Sequence, residues 1–327
     1  MNTSSPYTIL ITGLGALGTV FATLLKKAGC SVFALTKDKY LSALSDRRVW
    51  VTGIWGEHEA VLDGIYGSID PLRKEKIDFI ILTVKSYDTA AAIEQVKPLV
   101  GEDTLIIIAQ NGYGNYETVS TVVGKEHTLL ARIIFGVKLH APGQAEVTVI
   151  ADDVRIGQPH GAVDRNRVQE VAAALTAAGI PTSYAENVYA ILWDKMLYNA
   201  ALNPLGAVLE CTYGQLAENV QTRRIMNAII DEIFRVVQAH GMPLNWKSAE
   251  EYRKHFYTNL VPPTSKHFPS MYYDLKACKR LEIDALNGAI VMLAREMGIR
   301  VPVNETITDL LRAKEALTTA AKISCKS

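Results

Sequence analysis

The stretch Thr8-Ile9-Leu10-Ile11-Thr12-Gly13-Leu14-Gly15-Ala16-Leu17-Gly18 decides the fold of this chain. Its first five residues read as a buried strand, and the glycine turn that follows opens a helix running through Lys27. A G-x-G-x-x-G turn between a strand and a helix gives each glycine a separate task. The first makes a tight turn, the second lets the backbone approach a pyrophosphate, and the third lets the helix pack closely on the strand. The helix N-terminus then offers free N–H groups and the positive end of its dipole to an anion. A purely structural glycine turn is the bland alternative, but the strand before the motif and the helix after it favour dinucleotide binding.

Further β-rich runs alternate with helical segments after this motif. Ser31-Val32-Phe33-Ala34-Leu35 is a second strand, Ile77–Val84 a third and Thr104–Ile108 a fourth, with an Ala-rich helix from Asp88 ending near Pro98. Shorter strands are expected at Leu129–Val137, Glu146–Ile150 and Val154–Ile156, and a helix over Arg165–Ala178. Continuous apolar runs suit strands covered on both faces by helices, the pattern of a doubly wound parallel sheet. Glu57–Tyr66 and Leu260–Ser270 read as irregular connections. From Val188 onward long helical periods dominate, at Val188–Leu202, Val220–His240, Ala249–Phe256 and Ile283–Met297. The expected fold is therefore α/β, an N-terminal Rossmann-type parallel-sheet domain over 1–184 joined to an all-helical C-terminal domain over 185–327.

Composition narrows the function. Lys plus Arg number 34 and Asp plus Glu 34, for a formal net charge of zero. A protein that binds nucleic acid by neutralising phosphates normally carries a basic surplus, so no nucleic-acid partner is expected. Cys30, Cys211, Cys278 and Cys325 form no CxxC pair, and the histidines form no HExxH motif, so no metal is expected. Free thiols in a chain of this size point to a reducing compartment. Tyr7–Leu25 is uncharged but lacks a preceding Lys or Arg and contains the glycine motif, which argues against a signal peptide. No stretch approaches the ~20 apolar residues of a membrane span. A soluble, cytoplasmic protein is expected.

The residues after the second strand leave the choice of dinucleotide open. A carboxylate there holds the ribose hydroxyls of NAD, while a cation accommodates the 2′-phosphate of NADP. Thr36-Lys37-Asp38 supplies one of each.

A second feature is Leu192-Trp193-Asp194-Lys195-Met196-Leu197-Tyr198-Asn199-Ala200-Ala201-Leu202-Asn203-Pro204-Leu205. Lys195, Asn199 and Asn203 are spaced i, i+4, i+8 and share one helical face, with Pro204 expected to end the helix. Burying an ammonium and two carboxamides among apolar neighbours is costly unless they have partners, and an oxygen-rich substrate would supply them. A solvent-facing helix edge is the alternative. Downstream, Glu282 and Asn287 are five residues apart, near one helical face, and by themselves fit a capping or surface pattern equally well.

Together these clusters resemble the ketopantoate reductase family (2-dehydropantoate 2-reductases). The likeness runs from Gly13–Gly18 through Val84-Lys85 and Asn111-Gly112, then through Trp193-Asp194-Lys195, Asn199 and Asn203-Pro204. It ends with Ser270-Met271, Glu282-Ile283-Asp284 and Asn287-Gly288. The resemblance implies a Rossmann domain and a helical domain with the active site in the cleft between them, and NADPH-dependent reduction of ketopantoate to pantoate in pantothenate and coenzyme A biosynthesis. It gives Lys195 the role of catalytic lysine and Glu282 that of the acidic residue beside nicotinamide and substrate. Asn199, Asn203 and Ser270 become substrate-binding, and Asn111 contacts both substrate and cofactor. Gly13, Leu14, Gly15, Ala16, Leu17, Gly18, Lys85 and Glu282 become cofactor-binding, and Lys37 takes the 2′-phosphate, which tips the cofactor to NADP. The expected partner is a small 2-oxo acid, and a homodimer is allowed.

The chain departs from the pattern at three places. Its turn Cys211-Thr212-Tyr213-Gly214 has no asparagine where some members carry one, Leu281 replaces a common threonine, and Lys37 replaces the more usual arginine. These departures bear on which acid is reduced. Two rivals share many of these features: a related dehydrogenase acting on another 2-oxo or 3-hydroxy acid, and a dinucleotide-binding sensor without catalysis.

Overall fold

The structure, a computed structural model, describes residues 7–324, with side chains described through residue 320. Cys325 lies outside the described residues. The chain divides between Val188 and Tyr189 into two compact units.

In the first unit the strands are β1 (Thr8–Thr12), β2 (Ser31–Leu35), β3 (Arg48–Gly53), β4 (His58–Val61), β5 (Gly64–Tyr66) and β6 (Phe79–Leu82). They continue with β7 (Leu105–Ile108), β8 (Thr128–Arg132), β9 (Phe135–Ala141), β10 (Gln144–Ile150), β11 (Val154–Gly157) and β12 (Thr182–Tyr184). The helices between them are α1 (Ala16–Lys27), α2 (Thr89–Val96), α3 (Asn115–Val123) and α4 (Arg165–Ala177). An eight-stranded sheet has the order β12-β11-β8-β7-β6-β1-β2-β5, parallel except where β11 runs against β8. The run β5-β2-β1-β6-β7-β8 is the doubly wound order, with its reversal beside β1. Its centre is apolar on both faces: Ile9, Leu10 and Ile11, Phe79–Leu82 and Leu105–Ile108 are all buried. This double-sided burial is why the sequence shows continuous apolar runs there in place of alternation.

Two expectations change in this unit. Leu129–Val137 is not one strand. Thr128–Arg132 pairs with β7 in the large sheet, whereas Phe135–Ala141 turns away to pair with β10 in a second sheet of order β4-β3-β10-β9. Glu57–Tyr66 is not irregular either, since it holds β4, which pairs with β3, and β5, which pairs with β2. Strands this short, separated by Asp63, bury too few residues to leave a periodic signal. Their hydrogen bonds come from partners distant in sequence. The inner residues of the second sheet, Val49, Val51, Ala145 and Val147, join the same apolar core as α1 residues Phe21 and Leu25.

The second unit holds α5 (Val188–Leu209), α6 (Tyr213–Glu218), α7 (Val220–Ala239), α8 (Ala249–His255), α9 (Ser270–Lys276), α10 (Asn287–Glu296) and α11 (Pro302–Ser324). Helix α7 buries Met226, Ile229, Ile230, Ile233, Phe234, Val236 and Val237 along one side, as an amphipathic helix must. Helix α5 is the apolar centre, with Trp193, Leu197, Ala200, Ala201 and Leu202 fully buried. No helix among the described residues is long and apolar enough to cross a membrane.

Helix α5 corrects one expectation, because it does not end at Pro204 but continues to Leu209. A proline inside a helix has no N–H for the carbonyl four residues earlier, here that of Ala200. Asn287, fully buried, fills the gap: its Nδ2 donates to Ala200 O at 3.1 Å. With that carbonyl satisfied from outside, the helix passes through the proline.

Candidate active site

The glycine turn assigns its three residues as the motif requires. Gly13 has φ +96°, and a Cβ there would stand 2.8 Å from the backbone N of Val84, so a side chain is excluded by conformation and by space. At Gly18 a Cβ would collide with the carbonyl oxygen of Gly13 and approach Thr83 Oγ1 to 2.7 Å, so the helix can pack on the strand ends only without one. Gly15 is different, since nothing lies within 4 Å of the place a Cβ would take. The space in front of it is open, as a bound pyrophosphate requires. Helix α1 begins there with Gly15 as N-cap, no side-chain cap and no acidic residue in its first turn. Its first backbone bond is Thr19 N to Gly15 O, so the N–H groups of Ala16, Leu17 and Gly18 have no acceptor within the helix. These residues fit the diphosphate of a dinucleotide.

The other expected cofactor residues emerge from the same edge of the sheet. Strands β2, β1, β6 and β7 are parallel and in register at their carboxyl ends, where Leu35, Thr12, Leu82 and Ile108 are successive partners. Gly13, Lys37, Lys85 and Asn111 follow those ends by one to three residues. Ligands of open α/β sheets bind outside the carboxyl ends of the strands at the point where strand order reverses. Lys37 caps a short 3-10 turn, its side chain is 66% exposed, and its Nζ lies 3.0 Å from Asp88 Oδ2. Donating this hydrogen bond to the Asp88 carboxylate raises the Lys37 pKa and keeps the side chain a cation. Lys85 is half-buried and caps the turn containing Asp88, with Asp88 N donating to Lys85 O at 2.8 Å. Asn111 is exposed in a tight turn, and its carbonyl accepts from Asn115 Nδ2 at 3.0 Å. Asn115 in turn accepts from Thr89 Oγ1, which pins the end of β7 to α2.

In the second unit the polar stripe lies on α5 as its spacing implies. Lys195 and Asn199 are half-buried, and Asn203 is buried at 8% exposure. Asp194, just before the lysine, accepts from Trp246 Nε1 at 2.7 Å and from Asn245 Nδ2 at 2.6 Å. Those partners lie some fifty residues downstream, and no local pattern announced them. They fix the first half of the helix, while Asn287 fixes its middle.

Asn203 has a partner within the protein: the Tyr213 hydroxyl donates to its Oδ1 at 2.6 Å. Ser270 is exposed at the first position of α9. It is brought near this end of α5 because Gly206 lies against Pro269, and because Tyr213 N and Gly214 N donate to His267 O and Ser265 O. Glu282 and Asn287 do not share a helical face, contrary to expectation. Glu282 is half-buried at the head of a 3-10 turn, and α10 starts only at Asn287. The carbonyl at Ala200 and the side chain of Asn304 claim Asn287, so it is neither a helix cap nor a surface residue. No group of three or more His, Cys, Asp or Glu that could hold a metal occurs among the described residues.

A doubly wound sheet with this glycine loop, followed by a helical unit carrying a lysine–asparagine stripe, defines a dinucleotide-dependent oxidoreductase of the Rossmann type. Residues 9–161 match the family described as Ketopantoate reductase PanE/ApbA, and residues 187–315 match its C-terminal part, Ketopantoate reductase PanE/ApbA C terminal. The chain is 47% identical over 310 residues to the 2-dehydropantoate 2-reductase of Aquifex aeolicus, covering 94% of this chain and 96% of that one. It belongs to the ketopantoate reductase family. Among solved structures it superposes on the 2-dehydropantoate 2-reductase of Geobacter metallireducens with a TM-score of 0.83 at 25% identity, covering 94% and 99% of the two chains. A D-mandelate dehydrogenase solved with NADH and anilino(oxo)acetate shares the fold, with a TM-score of 0.85 at 23% identity over 95% and 99% of the chains.

Proposed function

We propose that this chain is an NADPH-dependent 2-dehydropantoate 2-reductase, converting ketopantoate to pantoate as a step of pantothenate biosynthesis. The observation that carries this reading is the stripe of Lys195, Asn199 and Asn203 on one face of α5, in a chain 47% identical to a reductase of that name. Residues 1–184 form the NADP-binding domain in this reading, and residues 185–327 form the substrate-binding and catalytic domain.

In this assignment Gly13–Gly18 hold the pyrophosphate, Lys37 takes the 2′-phosphate, and Lys85, Asn111 and Glu282 contact the rest of the dinucleotide. The cofactor, when bound, supplies the hydride delivered to C2 of the oxo acid. Lys195 donates a proton to the ketone oxygen, and its cation opposes the negative charge that develops there. The overall change consumes one hydride and one proton, and the proton on Lys195 is restored from solvent, which its half-buried position allows. Asn199, Asn203 and Ser270 hydrogen-bond the substrate's oxygens, and Asn111 completes the set. Glu282 is the second catalytic residue in this reading, the acidic group that the family resemblance puts beside nicotinamide and substrate.

A small-molecule substrate also agrees with the charge balance of zero, which favours no nucleic-acid partner. A homodimer is proposed on the likeness to the Staphylococcus aureus ketopantoate reductase, which is described as dimeric, and a cytoplasmic location on the free thiols. The test is NADPH oxidation followed at 340 nm over a panel of ketopantoate, 2-oxoisovalerate and benzoylformate. Ketopantoate should give the highest kcat/KM. Equal or better turnover of benzoylformate would replace this substrate with another 2-oxo acid.

A further inference from the structure

The turn Cys211-Thr212-Tyr213-Gly214 lacks the asparagine that some family members carry, and the structure puts a phenol to use there. The Tyr213 hydroxyl donates to Asn203 Oδ1 at 2.6 Å, and both side chains are 8% exposed. The backbone and ring that carry this hydroxyl are held from several directions. Tyr213 N donates to His267 O at 3.0 Å, and Gly214 N to Ser265 O at 2.8 Å. Thr212 and Gln215 form a reciprocal cap on α6. The Tyr213 ring meets the edge of Tyr198, 5.9 Å between centroids at 87°, and Tyr198 is itself hydrogen-bonded to Thr264 Oγ1 at 2.7 Å. A donor fixed this firmly cannot follow a rotating carboxamide, so the carboxamide must adapt to it.

A carboxamide has two orientations that exchange its oxygen and nitrogen, with opposite hydrogen-bonding character at each place. A phenol donor on the oxygen selects one of them. Burial pushes the Tyr213 pKa up, so the phenol keeps its proton throughout the working pH range and remains a donor. The carbonyl of Asn203 is thereby turned toward Tyr213, and the atom turned away from Tyr213 is Nδ2, a donor only.

We infer that Tyr213 is a positioning residue that sets the polarity of Asn203, so that this end of the α5 stripe recognises an acceptor oxygen of the oxo acid. The inference rests on the reading of Asn203 as substrate-binding. It adds a residue outside the family's expected set and a rule for the substrate: the group meeting Asn203 must accept a hydrogen bond.

The test uses the full-length enzyme and four proteins: the parent, Tyr213→Phe, Asn203→Asp and the double variant. Removing one hydroxyl that orients a single substrate hydrogen bond should raise the KM for ketopantoate about tenfold. The kcat should stay within about threefold and NADPH binding by calorimetry should not change, a split that a general loss of structure would not give. Asn203→Asp retains the acceptor for Tyr213 but removes the Nδ2 donor, so it should raise KM at least as much. Adding Tyr213→Phe to Asn203→Asp should then change little, because the two act through one bond. A Tyr213→Phe enzyme with KM within twofold of the parent, or additive effects in the double variant, would overturn the inference. If Tyr213→Phe does not fold, Asn203→Asp decides alone, and an unchanged KM for that variant overturns it. A parent without ketopantoate turnover brings down the functional reading and this inference with it, whereas an active parent with indifferent variants removes Tyr213 only.

Discussion

Asn287→Ala should unfold the helical unit more easily than any loss of surface contact would suggest. The side chain is fully buried, and its Nδ2 donates to Ala200 O at 3.1 Å and to Asn304 Oδ1 at 3.0 Å. Asn304 is fixed in turn by the buried carboxylate of Glu232, which accepts from Asn304 Nδ2 at 2.7 Å and from the backbone N–H of Val303 and Asn304. This chain of bonds orients the Asn304 carboxamide so that its oxygen faces Asn287. Truncation leaves two acceptors, Ala200 O and Asn304 Oδ1, without donors in a place water does not reach. Each such orphan costs about 1–3 kcal/mol. Part of this is returned, because the Asn287 Oδ1 atom has no hydrogen-bond partner and disappears with the side chain. A net loss of about 3 kcal/mol follows, which lowers the melting temperature by roughly 6–12 °C for a unit of this size. Because Ala200 lies between Asn199 and Asn203, the relaxed helix should also cost about 10–100-fold in kcat/KM. Differential scanning calorimetry and steady-state assays of parent and variant read both effects. A melting temperature within 2 °C of the parent would refute the account of how α5 tolerates Pro204.

Three other outcomes are expected. Lys195→Ala should cut turnover by about 10²–10⁴-fold with NADPH affinity within a few-fold, and Lys195→Arg should rescue poorly because a planar guanidinium cannot replace a point donor; stopped-flow turnover of the alanine variant within threefold of the parent would remove Lys195 as the acid. Lys37→Ala should weaken NADPH by about 1–2 kcal/mol and NADH much less, measured by fluorescence titration; equal weakening of both would transfer the ribose contact to Asp38. At Asp152, burial alone would raise the carboxyl pKa, but the bonds from Arg155 and Arg132 outweigh it and hold the group at about 2. A folded-state pKa depressed below the unfolded one contributes stability above the unfolded value, and that stability is lost as pH falls from about 4 toward 2. The side chain is 39% exposed, so screening discounts the contribution to about 1 kcal/mol. Asp152→Asn should therefore be less stable than the parent at pH 7, with the gap closing in acid unfolding titrations; a gap independent of pH would contradict the assignment.

The sequence by itself determined whatever rests on contacts close along the chain or on burial that repeats. The β1–glycine–α1 unit was legible because Gly13, Gly15 and Gly18 are required within six residues by one local geometry. The central strands were legible because double-sided burial demands uninterrupted apolar runs. The Lys195, Asn199 and Asn203 stripe could be placed on one face because helical periodicity alone sets it. Tertiary structure decided the rest. The second sheet is built from short strands whose partners are distant, so its residues carry no periodic signal. The helix passes Pro204 only because Asn287, 87 residues beyond Ala200, supplies the donor that the Ala200 carbonyl lacks. Local rules end a helix at such a proline, since they contain no term for a side chain arriving from another element. The same reason hid the roles of Trp246 beside Asp194 and of Tyr213 beside Asn203. Each is a single directional bond that folding brings into register, and a hydrogen bond between two particular atoms leaves no trace in composition or period.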